Sequence, residues 1–549
     1  MRSRSRARPT SATPWPLLAV LAALVFVAYV RLRVADVPLE RDEGEYAYAG
    51  QLILQGIPPY ELAYNMKFPG IYYAYAAILA LFGPTPGGIH LGLMVVNAAT
   101  ILLVWRFGRR ILGEFAGAIA AVSFAILGVD RWVFGVFAHA THFVNAAAMA
   151  GLYVLLRAID DDRTRSFALS GALLGLAVLM KQHAIFFLPL GAALVVWGGT
   201  RSGGIATPAN AKRIGAFALG ALLPFGAILL VLLAQGVLGR FWFWTFQYAS
   251  AYVSENSFST AWSNFTTGLR YVTAASWAFW VLGALGLVSL WARPWKPATR
   301  TVVTGLLVAS LLALCPGFYF REHYFILVLP ALALLVGIAV DTLRQLLERS
   351  RLRGVAAVLS VAVFVGAIGL YVTKERRYLF SMGTRELSRT MFGTNPFIEA
   401  VEIGKYIKEH TDKNDRIAVL GSEPEIYFYA DRKAATGYIY TYPLMEPQPY
   451  AKSMQQEMIR EIESSHPRYL VYSALPVSWA AQKESDQGIV HWGNRYLRDC
   501  YDPVGIVDIF SDDKTNITWD DAARSYVAKS ADLVFTCKRK SDAPCSVNP

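Results

Sequence analysis

Residues 15–46 read WPLLAVLAALVFVAYVRLRVADVPLERDEGEY. The segment 15–34 is almost wholly apolar and is long enough to cross a bilayer, which takes about 20 such residues. An acidic cluster, Arg41-Asp42-Glu43-Gly44-Glu45-Tyr46, follows it directly. Carboxylates placed where a hydrophobic helix leaves the membrane suit proton transfer or cation handling better than anchoring. This stretch therefore predicts a membrane protein with chemistry at the membrane face.

The rest of the chain has the same apolar character. Of its 549 residues, 55% are hydrophobic and only 17% are charged, as is typical of polytopic membrane proteins. We therefore predict a polytopic α-helical membrane protein. Its transmembrane helices number about eleven, at 15–34, 89–107, 113–129, 142–158, 166–180, 183–198, 214–236, 273–292, 301–316, 324–341 and 354–373.

Basic residues lie in alternate loops between these segments, and such loops face the cytoplasm. The basic start, residues 1–14, is then cytoplasmic and precedes a retained signal anchor. The net charge of +12 reflects this orientation, so it does not indicate a nucleic-acid partner. The basic loops contain Arg106, Arg109 and Arg110; Arg163 and Arg165; Arg201, Lys212 and Arg213; Arg293, Lys296 and Arg300; and Arg344, Arg349, Arg351 and Arg353.

The outer loops are then 35–88, 130–141, 237–272 and 317–323, and residues 374–549 lie outside as well. That C-terminal part is charged and contains no further apolar span. Its patterns predict strands at 416–421, 468–472, 504–510 and 531–536, and helices at 395–410 and 450–464. Alternation of these elements predicts a small extracytoplasmic α/β domain with a parallel or mixed sheet.

Three cysteines, Cys500, Cys537 and Cys545, fall in this exported domain, where a disulfide is permitted. Pairing cannot be read from sequence. Among the possible pairs we favour Cys500 with Cys537.

The first outer loop, 35–88, carries the densest functional signal. Asp42 is a candidate general base, although it can also cap a helix that we predict at 46–55, and the cluster can be merely solvated. A second apolar stretch, 71–82, is too short to span, and both segments fit helices along the outer membrane surface. Lys67 is either a phosphate-binding cation or a snorkelling interfacial lysine.

Later outer turns add further candidates. Arg321, His323 and Tyr324 lie between two apolar spans, where an arginine fork suits phosphate. Lys181 and His183 form either a polar turn or part of a binding site. His139 and His142 can share a helix face and bind metal, but the sequence offers no other ligand, so neither a metal nor a cofactor is implied.

Two nucleotide-sugar signatures are weak or missing. Asp160-Asp161-Asp162 matches an Asp-x-Asp motif only trivially, on the predicted inner side. No phosphate-binding GxxxxGK[ST] loop occurs in the sequence.

The order and spacing of several short motifs resemble the GT-C membrane glycosyltransferases. The likeness is to the bacterial branch of protein O-mannosyltransferases and lipid A aminoarabinose transferases, and it covers about residues 15–345. The motifs are Asp42-Glu43-Gly44-Glu45-Tyr46-Ala47, Lys67-Phe68-Pro69-Gly70-Ile71-Tyr72-Tyr73, Phe82-Gly83, Gly108-Arg109-Arg110, Gly175-Leu176-Ala177-Val178-Leu179-Met180-Lys181, Arg321 with His323-Tyr324-Phe325, and Leu329-Pro330-Ala331-Leu332.

The resemblance implies a membrane catalytic domain at 15–373, integral to the bacterial plasma membrane. The donor would be a polyprenyl-phosphate sugar, and a lipid, glycan or protein acceptor would attack its anomeric carbon in one inverting step. Asp42 would be the base and Glu43 would assist it. Lys67 and Arg321 would stabilise the leaving phosphate, with His323 and Tyr324 as secondary contacts.

Lys181, His183, His142 and Tyr46 are candidate sugar or acceptor contacts. Relatives often carry Asp in the turn where this chain has Ala140-Thr141-His142, and Lys-Gly-Pro where it has Lys181-Gln182-His183. The sugar is therefore left open.

Three other functions remain in view. A polytopic lipid or sugar transporter or flippase would place polar residues near the bilayer midplane and show repeated halves, whereas the polar residues here cluster at one face. An O-antigen ligase or polymerase would concentrate its key residues in one large later loop. The C-terminal domain can also be a carbohydrate-binding or protein-interaction module, which is compatible with a transferase. Its tyrosines can stack on sugars or form strand core, and we favour strand core: Tyr427, Tyr429, Tyr438, Tyr440 and Tyr442.

Overall fold

The computed structural model describes residues 15–201, 207–253, 257–541 and 545. The basic segment 1–14, predicted to be cytoplasmic, lies outside the described residues.

Within the described residues, sixteen α-helices make up the membrane-embedded part and its loops. They are α1 (Trp15–Arg33), α2 (Arg41–Leu54), α3 (Gly70–Phe82), α4 (Pro86–Leu112), α5 (Glu114–Leu127), α6 (Ala140–Asp161), α7 (Thr164–Met180), α8 (Phe187–Arg201), α9 (Pro208–Ala234), α10 (Leu238–Trp242), α11 (Ala249–Val253), α12 (Phe258–Thr273), α13 (Trp277–Ala292), α14 (Pro297–Leu312), α15 (Leu329–Glu348) and α16 (Ala356–Lys374). Short 3₁₀ segments precede α8 (Gln182–Phe186) and α15 (Glu322–Val328).

Every one of the eleven predicted spans is occupied by a helix. Within the described residues, seven helical stretches are long and apolar enough to cross a membrane, and the pair α12 and α13, bent by 109°, makes an eighth if counted as one span. The helices α5, α7 and α14 are apolar but shorter. The polytopic helical class is thus confirmed, while the count of eleven stays a prediction.

The first outer loop folds into two helices, α2 and α3, where the two short helices are predicted. α2 begins earlier than expected, at Arg41, because Glu40 caps it. The Glu40 carboxylate accepts a hydrogen bond from the Glu43 amide, and the Glu43 carboxylate accepts one from the Glu40 amide. Asp42 therefore lies inside the first turn, and its predicted role as the cap is wrong.

The C-terminal part is a small α/β domain, as predicted. Its helices are α17 (Arg376–Phe380), α18 (Thr384–Phe392), α19 (Phe397–Glu409), α20 (Glu425–Ala430), α21 (Tyr442–Met445), α22 (Ala451–Ser465), α23 (Pro476–Trp479), α24 (Gly488–Cys500) and α25 (Asp520–Arg524). Its strands are β1 (Arg416–Leu420), β2 (Lys433–Ala434), β3 (Tyr469–Ser473), β4 (Tyr501–Ser511), β5 (Lys514–Trp519) and β6 (Leu533–Arg539).

These strands form one mixed sheet in the order β2-β1-β3-β6-β4-β5. β1 pairs in parallel with β2 and β3, and the other pairs are antiparallel. All four predicted strands are present. The two that the sequence did not reveal are edge strands: β2 has two residues, and β5 is mostly polar and half-buried.

The expected Cys500–Cys537 disulfide is wrong. Cys500 bonds to Cys545 instead, with their Cα atoms 6.0 Å apart. Cys537 is a free thiol within β6, with its side chain buried in the core. Just beyond β6, the Lys540 amide donates to the Cys500 carbonyl at 3.0 Å, so this part of the chain lies at the end of α24.

Candidate active site

Lys67 lies between two carboxylates of α2. Its Nζ atom is 2.7 Å from Asp42 Oδ1 and 2.6 Å from Glu45 Oε2. Asp42 and Glu45 are three residues apart, so one helix turn presents both to the loop that carries Lys67. The ammonium group also lies 4.6 Å from the centre of the Tyr46 ring, and the role of Tyr46 as a sugar or acceptor contact stays a prediction.

This arrangement keeps Asp42 ionised. Burial by itself would raise the pKa of Asp42, but Lys67 first and then His139 and His323 hold that pKa well below its usual value. Burial raises the pKa of Glu45 despite Lys67. Burial would lower the pKa of Lys67, but the carboxylates of Asp42 and Glu45 raise it well above its usual value. An ionised carboxylate that is about a quarter exposed can accept a proton from a bound acceptor.

Two stacked imidazoles face the other oxygen of Asp42. His139 Nδ1 lies 3.7 Å and His323 Nε2 lies 4.0 Å from Asp42 Oδ2, and the two rings stack with centroids 4.1 Å apart. Both ring nitrogens of His139 are buried with no hydrogen-bond partner within the described chain. Sequence reasoning placed His139 in a possible pair with His142, but not beside Asp42.

Asp42, His139 and His323 form the one cluster in the described residues whose ligand atoms are close enough to hold a metal ion, all within 4.8 Å of one another. One carboxylate oxygen and two imidazole nitrogens suit Zn²⁺ or Mn²⁺. The separations of 3.7 and 4.0 Å exceed hydrogen-bond length and leave room between the donors. The residues therefore fit an ion, although the sequence did not imply one.

Glu43 points away from this group. Its buried carboxylate contacts His90 Nε2 at 2.9 Å and accepts a hydrogen bond from the Ala138 amide, besides capping α2. These contacts tie α2 to α4 and to the segment before α6. They fit a positioning role, and the catalytic role of Glu43 stays a prediction.

Two further cations lie near Asp42. The Lys181 ammonium is 4.2 Å from the centre of the Tyr324 ring, and the Arg321 guanidinium is 5.4 Å from that of Tyr319. Burial, with Lys67 and Arg321 as neighbouring cations, lowers the pKa of Lys181 to about 7, although Asp42 opposes the shift. Arg321 is exposed, so a ligand can reach its guanidinium.

The remaining predicted histidines play different parts. His183 contacts the Ala313 carbonyl at 2.8 Å through Nδ1 and packs edge-on against Tyr324. It therefore supports the aromatic ring over which the Lys181 ammonium lies. His142 is buried one turn beyond His139 on α6, and its Nε2 has no partner within the described chain. Among the described residues, the groups that face Asp42 are Lys67, His139 and His323, and His142 is not one of them.

The C-terminal domain completes the group from the other side. The Tyr440 hydroxyl donates to the Arg41 carbonyl at 2.9 Å, and its ring centre is 5.8 Å from the Lys67 ammonium. Arg41 Nη2 is 3.5 Å from Glu423 Oε1, and Glu423 accepts from the Ser478 hydroxyl at 2.7 Å.

The interpretation of the domain's tyrosines as strand core is wrong. Tyr427 and Tyr429 lie in α20, Tyr438 and Tyr440 lie in the loop after β2, and Tyr442 begins α21. Contacts between this domain and the first loop could not be predicted from the sequence. A strand or helix pattern indicates which side chains are buried, but not which other segment they contact.

Comparisons with known proteins fit this geometry. Residues 66–228 match the family described as dolichyl-phosphate-mannose-protein mannosyltransferase, a segment that runs from just before Lys67 past Lys181. The match covers 163 of the 549 residues, and over this segment the chain is similar to membrane glycosyltransferases. No curated protein matches the chain by sequence.

Two solved structures show the likeness of fold. ArnT from Cupriavidus metallidurans, bound to undecaprenyl phosphate, superposes with a TM-score of 0.61 at 17% identity, over 96% of this chain and 98% of that one. The oligosaccharyltransferase of Archaeoglobus fulgidus in its apo form gives 0.53 at 14% identity, over 93% and 75% of the two chains.

Proposed function

We propose that this protein transfers a sugar from a polyprenyl-phosphate donor to an acceptor at the outer face of the membrane. The observation that carries the proposal is the placement of an ionised base, Asp42, in direct contact with Lys67 and near Arg321 and Lys181. A base beside several cations suits a reaction that removes a proton and releases a phosphate. The undecaprenyl phosphate bound to the Cupriavidus protein of similar fold supports the choice of a polyprenyl carrier.

The reaction runs as one displacement. Asp42 accepts the proton of the acceptor hydroxyl or amine as that group attacks the anomeric carbon, on the face opposite the leaving group. The bond from the anomeric carbon to the phosphate oxygen breaks, and the electron pair leaves with the polyprenyl phosphate. Lys67, Arg321 and Lys181 stabilise the charge that develops there, and the anomeric configuration inverts.

Replacement of the base tests the proposal. Asp42→Asn keeps the size of the side chain but cannot accept a proton, so we expect the rate of transfer from a polyprenyl-phosphate sugar to fall by about 10²–10⁴-fold. Radiolabelled sugar appearing in the acceptor is measured with purified protein in detergent. Glu114→Gln, which removes an exposed carboxylate paired with Arg109, is the matched control. Near-normal transfer by a folded Asp42→Asn variant would rule out the base.

Asp42, His139 and His323 would hold a divalent cation in the proposed enzyme. The cation would fix the position of Asp42 and supply positive charge near the phosphate. We expect one equivalent of metal in the purified protein by elemental analysis, and its loss in His139→Ala. Chelation should lower the transfer rate of the wild type, and added Zn²⁺ or Mn²⁺ should restore it. Full activity of metal-free protein would show that the histidines act on Asp42 without an ion.

A further inference from the structure

Four basic residues stand side by side in one row across the sheet of the C-terminal domain. Lys433 of β2 pairs with Arg416 of β1. The Arg468 amide, just before β3, donates to the Arg416 carbonyl at 2.8 Å, and the Arg539 amide of β6 donates to the Arg468 carbonyl at 3.0 Å. These four residues, Lys433, Arg416, Arg468 and Arg539, are called the basic row below.

Such a row costs stability by itself. Neighbouring strands are about 4.8 Å apart, and directly opposed residues project from the same side of a sheet. Like charges at opposed positions repel each other. The row therefore concentrates positive charge at one end of the sheet, and a bound anion would offset the repulsion there.

Three members of the basic row line a common cavity of about 350 Å³. Arg539 is 5% exposed, and its guanidinium donates to the Ser541 carbonyl at 2.9 Å and lies 3.5 Å from both the Tyr496 hydroxyl and His466 Nδ1. Asp415 is the one carboxylate among the lining residues, so the cavity is positively charged. Its lining consists of Asn414, Asp415, Arg416, Ser465, His466, Arg468 and Arg539.

The size and lining of this cavity indicate which class of ligand fits it. Arginine forks match phosphate oxygens through paired hydrogen bonds. A volume of 350 Å³ falls in the range of small-molecule sites and exceeds what one phosphate fills. The rest of the wall is polar, with Asn414, Ser465 and His466 able to bond hydroxyl groups.

The cavity is separate from the group around Asp42. Arg416 begins β1, and the chain leaves the other end of β1 before it reaches Ser422 and Glu423, which hold Arg41. The five residues of β1 span about 13 Å, so the two sites lie at opposite ends of this strand.

We propose that this cavity binds a phosphorylated sugar, as a second site of the protein. The proposal stands on the basic row and its cavity, and it does not depend on the transfer reaction. The ligand reaches the site from water, because His466 and Asn414 at its rim are exposed.

Calorimetric titration of the full-length protein in detergent tests this proposal, with glucose 1-phosphate, glucose and inorganic phosphate as probes. We expect saturable binding of glucose 1-phosphate, no binding of glucose, and binding of inorganic phosphate at least fivefold weaker. Arg468→Ala should weaken the binding of glucose 1-phosphate tenfold or more, and Arg468→Lys should weaken it less. Arg524→Ala, which removes an exposed arginine paired with Asp521, is the matched control and should bind as wild type.

Two further measurements separate this role from others. Thermal unfolding without ligand is measured for Arg468→Ala and Arg468→Lys, and weaker binding by a variant that still unfolds cooperatively separates loss of the ligand contact from loss of the fold. Asp42→Asn should bind glucose 1-phosphate normally, so failure of the transferase proposal would leave this one intact.

Three outcomes would overturn the assignment. They are absence of saturable glucose 1-phosphate binding, unchanged binding in Arg468→Ala, and inorganic phosphate binding as tightly as the sugar phosphate. Competition by phosphatidylglycerol, but not by phosphatidylcholine, in nanodiscs would assign the cavity to a lipid headgroup instead of a sugar.

Discussion

At the scale of single residues, the group around Asp42 depends on one ammonium shared by two carboxylates. Glu45 is fully buried, and its carboxylate pairs with the Lys67 ammonium at 2.6 Å. A buried carboxylate that loses its cation is strongly destabilising. Lys67 therefore serves the fold as well as the proposed phosphate site, and the two roles can be separated by pH.

Lys67→Met should lower both stability and activity. We expect the free energy of unfolding to fall by about 3 kcal/mol at pH 8, because Glu45 stays buried without its cation. The pKa of Glu45 is already raised by burial and would rise further without Lys67, so the folded protein would bind a proton more readily than the unfolded one. Stability of the variant should therefore fall as pH rises from 5 to 8.

Denaturant unfolding of the purified protein at pH 5 and pH 8 measures this difference, and the transfer rate is expected to fall about 10²-fold or more. Lys67→Arg keeps the charge and is the control. Equal losses of stability at both pH values would contradict the role given to Glu45.

At the scale of elements, the position of Asp42 depends on how closely α2 approaches α20. Gly44 permits this approach, since a Cβ atom there would lie 2.6 Å from Glu425 Cβ and 2.7 Å from the Glu425 amide nitrogen. Two hydrogen bonds stabilise the contact between the first loop and the C-terminal domain. The Tyr429 hydroxyl accepts from the Leu39 amide at 2.9 Å, and the Tyr48 hydroxyl accepts from the Ala434 amide at 2.7 Å. The C-terminal domain thus fixes the helix that carries Asp42.

Gly44→Ala should therefore destabilise the protein although alanine favours helix by about 1 kcal/mol. We expect a net loss of about 1–3 kcal/mol from overpacking and at least a tenfold fall in transfer rate, because α2 must shift and Asp42 moves with it. Thermal unfolding and sugar transfer are measured together. Gly366→Ala on the exposed face of α16, where a Cβ meets nothing within 4 Å, should be neutral or stabilising. If both variants behave alike, the close contact of α2 with α20 does not position the base.

At the scale of the whole molecule, the membrane helices and the α/β domain meet at the proposed active site. The domain carries the disulfide between Cys500 and Cys545, which an extracytoplasmic location permits. Burial raises the pKa of the Cys537 thiol to about 12, so this cysteine is a poor nucleophile for disulfide exchange.

Peptide mapping of the protein under non-reducing conditions should find Cys500 joined to Cys545 and Cys537 free. The bond closes a loop with a sequence separation of 45 residues, so Cys545→Ser should destabilise the domain by about 4 kcal/mol on the chain-entropy model. Cys537→Ser should leave the link intact and serves as the control. A Cys500–Cys537 peptide would contradict the observed pairing.

Local patterns were enough for much of the fold. The apolar segments from 15–34 to 354–373 each mark a helix, because a chain in lipid must satisfy its backbone hydrogen bonds within the segment. The apolar runs of β1, β3, β4 and β6 also revealed those strands. Asp42, Lys67 and Tyr46 could be named together, since the first loop holds all three within a short stretch.

The sequence by itself thus determined a polytopic helical membrane protein with a small α/β domain, and it drew attention to Asp42 and Lys67. Only the tertiary structure decided that His139 and His323 stack beside Asp42, that Tyr440 closes the group, and that Cys545 is the partner of Cys500. The physical reason is the separation along the chain over which each interaction acts. Hydrophobic period and helix capping act over a few residues and can be read locally, whereas these contacts join segments separated by up to about 400 positions and arise only when the helices and the sheet pack.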